Sequence, residues 1–202
     1  GKSFLSRQVR AIQHGRIIFS AMVSFATPED GLEYQIEAPE YPAPEELKSE
    51  QELKENLISF IPENIRTAFM RPRQVEIKPV NLSNPFQPQP EAPSNAFYMK
   101  TYDKLDQALA NDISLNQAIV AFYSDYSFMT TALQPHGVNY LTPSVQCASI
   151  DHAIYFHKPV KADEWMLYDM DATVTASSRG LNFGRMWQNG QLVCSTVQEG
   201  LI

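Results

Sequence analysis

Two stretches at opposite ends of the chain repeat one another. Near the start the sequence reads RAIQHGRIIFS, Arg10 to Ser20, and near the end RMWQNGQLVCS, Arg185 to Ser195. Each is an extended run, a polar–Gly turn and a second extended run, which specifies a β-hairpin. QNG at Gln188 to Gly190 is the stronger turn signal, because Asn and Gly tolerate the positive φ of a type I′ turn. QHG at Gln13 to Gly15 is a weaker form of it. The matched Arg, Gln and Gly positions favour duplication of a β module over two unrelated hairpins. A lone hairpin is marginal and needs more sheet. The second copy closes a long unit of strands and a helix, whereas the first copy opens the chain. The sequence is therefore expected to begin inside its first module. Aligning RAIQHG with RMWQNG sets Val23 opposite Gln198.

A chain of 202 residues holds one large or two small domains, and 44% hydrophobic with 19% charged residues is ordinary for a globular fold. The net charge of −7 argues against nucleic acid as a partner, since phosphate binding wants a basic patch. No apolar run is long enough to span a membrane and no signal peptide opens the sequence. Cys147 and Cys194 lie in apolar strand-like runs and read as reduced core thiols rather than a disulfide framework. A cytoplasmic protein is the expectation.

The region from Pro28 to Pro93 is rich in Pro and Glu, which prevents a continuous helix or central strand. Within it, residues 47–60 suit a short helix, and RQVEIKPV, residues 73–80, suits an edge strand. Further on, Phe97 to Thr101 reads as a short strand. Ser114 to Thr131 reads as one strong helix with Ser114 as N-cap. Leu115, Ala118, Ile119, Phe122, Tyr126, Met129 and Leu133 form its apolar stripe, and Pro135 with Gly137 ends it. Strands follow at about 145–156, 165–176, 179–188 and 191–200. One apolar helix followed by an antiparallel meander solves burial only if the sheet wraps the helix.

Three polar residues stand where apolar ones are expected. Asp125 falls at the edge of the helix's buried face, where a partly desolvated carboxylate suits a general base; a solvated helix-edge Asp is the other reading. In VQCASIDHAIYFH, residues 145–157, alternation puts Cys147, Ser149 and Asp151 on one face and His152 on the other. The Ser149 hydroxyl suits holding a water, or a simple bond to backbone. Gln198 shares a face with Cys194 and Thr196, and a neutral amide both donates and accepts without competing for protons. No GxSxG elbow, GxGxxG or Walker loop, CxxC or HExxH occurs. His152 and His157 fall on opposite strand faces, which is poor metal geometry. His136, in LQPHGV, fits a site mouth or a turn.

The segments ALQPHG, SIDHAIYFHKP, EWMLY, SSRG and STVQEG, in this order and spacing, resemble the C-terminal half of TesB-type acyl-CoA thioesterases (the thioesterase II family). The opening segment and RPRQVEIKPV resemble the same family, so the likeness covers essentially the whole chain. It implies an α+β double hotdog fold, two antiparallel sheets each wrapped around a central helix. The first hotdog would be N-terminally incomplete. The expected divisions are 1–30 for the C-terminal part of the first hotdog, 31–72 for a Pro/Glu-rich connector and 73–202 for the second hotdog. The resemblance implies hydrolysis of acyl-CoA to free fatty acid and CoA with no metal or other cofactor, in a homo-oligomer. It places the catalytic set on Asp125, Ser149 and Gln198, with Asp125 as general base on a water that the other two also hold. A hotdog hydratase using Asp151 and His152, and a non-catalytic acyl-CoA-binding module, are the alternatives.

Overall fold

The computed structural model describes residues 3–71 and 73–202. Gly1 and Lys2, at the start of the first expected module, and Pro72, at the end of the expected connector, lie outside the described residues. The chain divides into two compact units, one ending at Gln35 and one running from Ile36 to Ile202.

The first unit is built on an antiparallel hairpin of β1 (Phe4–Gln13) and β2 (Arg16–Ala26). His14 and Gly15 adopt φ of 50° and 75°. Two consecutive positive φ values are what a type I′ turn requires. His is among the residues that enter the left-handed region more readily than most, so QHG makes the same turn as QNG despite its weaker signal.

The second unit carries a seven-stranded antiparallel sheet. Its strands are β3 (Val75–Pro79), β4 (Ser94–Thr101), β5 (Ala148–Ser149), β6 (Ala153–Phe156), β7 (Met166–Ala176), β8 (Arg179–Gln188) and β9 (Gln191–Leu201). The spatial order is β3-β4-β7-β8-β9-β5, with β6 also paired to β9. The helices are α1 (Glu50–Asn56), α2 (Glu63–Phe69), α3 (Gln107–Ala110), α4 (Ile113–Tyr123) and α5 (Thr130–Leu133). As expected from its alternation, β3 is an edge strand.

Hairpin β8–β9 matches β1–β2 in more than its turn, where Asn189 and Gly190 have φ of 52° and 75°. Ala11 faces Phe19 and Ile12 faces Ile17, so Ile18 is an extra residue. Met186 faces Cys194 and Trp187 faces Leu192, so Val193 is the extra residue at the aligned position. Arg7 pairs with Val23 just as Asn182 pairs with Gln198. A bulge is a specific local device, and two at the same aligned position extend the repeat from sequence into geometry.

Period-2 alternation gives the sheet of the second unit two apolar faces. Met166, Tyr168 and Met170 of β7 join Val120, Tyr123 and Phe128 in the main core. Leu167 points the other way and clusters with Trp187, Ala96, Ala38 and Tyr41. An antiparallel sheet commonly leaves one face wet, but here the Pro/Glu-rich segment straps the outer face. Tyr41 Oη donates to Asp169 Oδ1 at 3.0 Å, and Lys78 Nζ donates to the Pro44 carbonyl at 2.8 Å. Arg73 Nε donates to Glu50 Oε2 at 2.8 Å, tying α1 beside β3. Helix α1 starts at a capping box in which Ser49 and Glu52 satisfy each other's backbone N–H groups.

The structure corrects three expectations. The helix expected over Ser114 to Thr131 is α4, a turn, and then α5. Its cap is Asp112, whose Oδ1 accepts from Leu115 N at 3.0 Å. It stops at Tyr123, and Tyr168 Oη donates at 2.8 Å to the Ser124 carbonyl, the acceptor that a continuing helix would offer to Phe128 N. Ser127 then turns left-handed at φ 58°. The buried face of α4 is Asn116, Val120 and Tyr123 rather than the expected stripe, and Phe122 is 57% exposed. Asn116 is buried because its amide is fully engaged: Oδ1 accepts from Ala162 N at 2.8 Å and Nδ2 donates to the Asp112 carbonyl at 2.8 Å. The strand expected over 145–156 is broken into β5 and β6. Ile150 N and Asp151 N both donate to the Glu199 carbonyl, at 2.9 and 3.3 Å, so the alternation lapses between Ser149 and His152.

Candidate active site

The three polar residues singled out from the sequence meet at one oxygen. Gln198 Nε2 donates to Asp125 Oδ1 at 2.7 Å, and Ser149 Oγ donates to the same oxygen at 3.3 Å. Asp125 lies in the turn that follows α4, Ser149 ends β5, and Gln198 is in β9. Amide-to-carboxylate bonds of this length are charge-assisted and stronger than neutral ones. Gln198 is fully buried, whereas Asp125 and Ser149 are exposed. Of the two readings of Asp125, the structure agrees with the solvated one, since the break after Tyr123 carries it to an open position.

The backbone explains why these elements converge. On β9, Cys194, Thr196, Gln198 and Gly200 all project to the buried side. Ser149 pairs with Gly200 across β5–β9, one step along that face from Gln198. Gly200 carries no side chain where Met129 packs, and Gly180 carries none where Ala132 packs. A Cβ at Gly180 would run into the Ala132 Cβ of α5, whereas one at Gly200 would displace the flexible end of the Met129 side chain. Tyr168 pins the turn from below, donating to the Ser124 carbonyl and sharing a 2.8 Å bond with Thr196 Oγ1. Burial raises the Tyr168 phenol well above its ordinary pKa, so it stays protonated. Tyr168→Phe leaves the Ser124 carbonyl without its partner. It is expected to cost about 1–3 kcal/mol, measured by urea denaturation.

His152 belongs to the same cluster, and sequence reasoning missed it. Its Nδ1 lies 3.1 Å from Gln198 Nε2 and its Nε2 lies 2.7 Å from Ser124 Oγ. Alternation had set His152 on the face opposite Ser149, and the bulge at Ile150 and Asp151 cancels that assignment. Nothing in the local pattern marks the bulge. Asp151 and His152 do not form a pair: Asp151 Oδ1 accepts from Glu199 N at 2.9 Å. His136 sits in the turn after α5 and bonds Thr175 Oγ1 at 2.9 Å.

Among the described residues there is no group of three His, Cys, Asp or Glu that could hold a metal. Cys147 and Cys194 are free thiols, and burial raises the pKa of Cys194 to about 12. Among the described residues no helix is long and apolar enough to cross a membrane.

An antiparallel sheet packed about a helix defines an α+β hotdog fold, and the polar cluster lies where strand and helix end meet. The family model described as acyl-CoA thioesterase matches residues 65–201. The chain belongs to the acyl-CoA thioesterase family. It is 33% identical to "Acyl-CoA thioesterase 2" of Haemophilus influenzae over all of this chain and 70% of that protein. It is 35% identical to human "Acyl-coenzyme A thioesterase 8" over all of this chain and 64% of that protein. The crystal structure of acyl-CoA thioesterase II TesB2 from Mycobacterium marinum superposes with a TM-score of 0.74 at 29% identity. That match covers all of this chain and 69% of that one. The chain thus spans about two thirds of the length of the relatives it matches.

Proposed function

We propose that this chain hydrolyses fatty acyl-CoA to free fatty acid and CoA, with Asp125 as general base and Ser149 and Gln198 orienting the water. The observation that carries the reading is the arrival of two donors from two strands on one carboxylate oxygen. Both address Oδ1, which leaves Oδ2 to take a proton. Gln198 Oε1 is buried without a partner among the described residues, so the amide acts on the water through its hold on Asp125 Oδ1. The water oxygen bonds to the thioester carbonyl carbon as its proton passes to Asp125. The tetrahedral intermediate then collapses with cleavage of the C–S bond. A thiolate with a conjugate acid near pKa 8.5 leaves readily, so strong acid assistance is not required, and the thiolate takes its proton afterwards.

The hydratase alternative draws no support from Asp151 and His152, which are engaged with different partners. The acyl-CoA-binding alternative leaves the directed carboxylate without a purpose. The matched bulges of the two hairpins support a double hotdog, divided near 1–30, 31–72 and 73–202, whose first half lacks the amide at Val23. A homo-oligomer that binds no nucleic acid fits the acidic charge and the exposed sheet edges. The free thiols fit a cytoplasmic setting. A panel of acyl-CoA substrates of increasing chain length, followed by free-thiol release, tests the reaction. Release that rises and falls with chain length is expected; no release from any substrate overturns the reading.

A further inference from the structure

We propose that His152, held by Ser124, is a positioning residue that fixes which end of the Gln198 amide faces Asp125. This rests on the hydrolytic reading above for its consequence, though not for its geometry. Ser124 is fully buried, and its hydroxyl donates to the Ala121 carbonyl at 2.8 Å. With its only hydrogen so used, Ser124 Oγ accepts from His152, and the 2.7 Å contact is Nε2–H donating. A neutral imidazole carries one N–H, so Nδ1 is a bare acceptor. Gln198 Nε2, 3.1 Å away, donates to it.

The amide nitrogen has two hydrogens, and both are now assigned, one to Asp125 Oδ1 and one to His152 Nδ1. The carbonyl end is thereby turned away, which leaves Oε1 without a partner. A flipped amide would set Oε1 against a carboxylate oxygen and an imidazole lone pair together, two repulsions in place of two bonds. Without His152, Asp125 alone selects the orientation. The ring adds a second fixed partner, since Ser124 Oγ holds its Nε2 side.

The arrangement needs neutral His152, since an imidazolium would present an N–H to the amide's own N–H. The groups around the ring are Asp125 from the turn after α4, Asp151 from its own loop, Gln198 from β9, Ser124, and the edge-on ring of Phe128 with centroids 5.9 Å apart. The His152 side chain keeps an exposed edge, but its partial withdrawal from water lowers its pKa below the usual imidazole value, and Asp125 and Asp151 oppose that shift without reversing it. Acidification through the ordinary imidazole range therefore puts a proton on the unfolded chain before the folded one, and stability falls as pH falls.

The test has a kinetic arm and a spectroscopic arm, both on the full chain. His152→Ala is expected to lower kcat for acyl-CoA about tenfold, the scale of one oriented hydrogen bond, with KM little changed. His152→Asn places Oδ1 where Nδ1 stood. It is expected to recover most of kcat and to remove the imidazole limb of the pH profile. Wild-type kcat in His152→Ala, or no recovery in a folded His152→Asn, overturns the proposal. In the spectroscopic arm, 15N-labelled imidazoles are observed by NMR, with His152 assigned by its loss in His152→Asn. A pyridine-type Nδ1 with a pyrrole-type Nε2 at pH 7 is expected. The reverse tautomer or an imidazolium overturns the proposal. Absence of thiol release by the wild type with the expected tautomer would remove the hydrolytic reading while the orientation of Gln198 stood.

Discussion

Asp125→Asn is expected to lower kcat for acyl-CoA hydrolysis by roughly 100- to 10,000-fold, the range of a lost general base, with the fold intact. Asn is nearly isosteric, and its Oδ1 still accepts from Gln198 Nε2 and Ser149 Oγ, which both address Asp125 Oδ1. The ability to take a proton is removed, along with the charge that strengthens the Gln198 bond. Because Asp125 is exposed and lies in a turn already pinned by Tyr168 at Ser124, its contribution to packing is small. The melting temperature is expected to stay within about 2 °C of wild type. Parallel thiol-release kinetics and calorimetry check both halves. Near-normal turnover by the variant would remove Asp125 from the mechanism.

A large expected effect on stability and activity together comes from Gly184→Ala. A Cβ there would run into Thr196 Oγ1 on the paired strand β9 and the Tyr168 ring on β7, with Tyr168 Oη 2.9 Å away. Neither neighbour yields easily. Tyr168 is fully buried between Phe97 and Phe128, with ring centroids 5.5 and 5.7 Å away. Overpacking of this kind costs about 1–3 kcal/mol. For a unit of this size that lowers the melting temperature by roughly 2–10 °C. The same methyl would break the Tyr168–Thr196 bond that steadies the Ser124 turn, so kcat is expected to fall with stability. A calorimetric midpoint equal to wild type would show that the sheet relaxes around the added carbon.

The parts of the fold that were readable from the sequence are those whose signal is local. Hairpin β8–β9 follows from QNG, edge strand β3 from its alternation, and the end of α5 from Pro135 and Gly137. The three candidate residues were visible because each is a polar side chain in an apolar run. What was not readable depends on a partner distant in the chain. The turn after the helix break at Tyr123 is held by Tyr168, 44 positions from Ser124. Asn116 counts as polar in any pattern, yet it is buried because Ala162 N needs an acceptor. The face of His152 depended on a bulge created by one carbonyl, that of Glu199, taking two donors.

The sequence by itself determined two β-hairpins of one design and the net negative charge of the chain, and it singled out Asp125, Ser149 and Gln198 as polar residues in apolar runs. Periodicity and turn chemistry are properties of neighbouring residues, and neighbouring residues are what a sequence records. Only the tertiary structure decided that both donors address one oxygen of Asp125, that this oxygen lies in an exposed turn, and that His152 and Ser124 complete the cluster. Those features arise where β9, β5 and the end of α4 meet. There, the direction of each hydrogen bond is fixed by atoms that packing, not chain order, brings within reach.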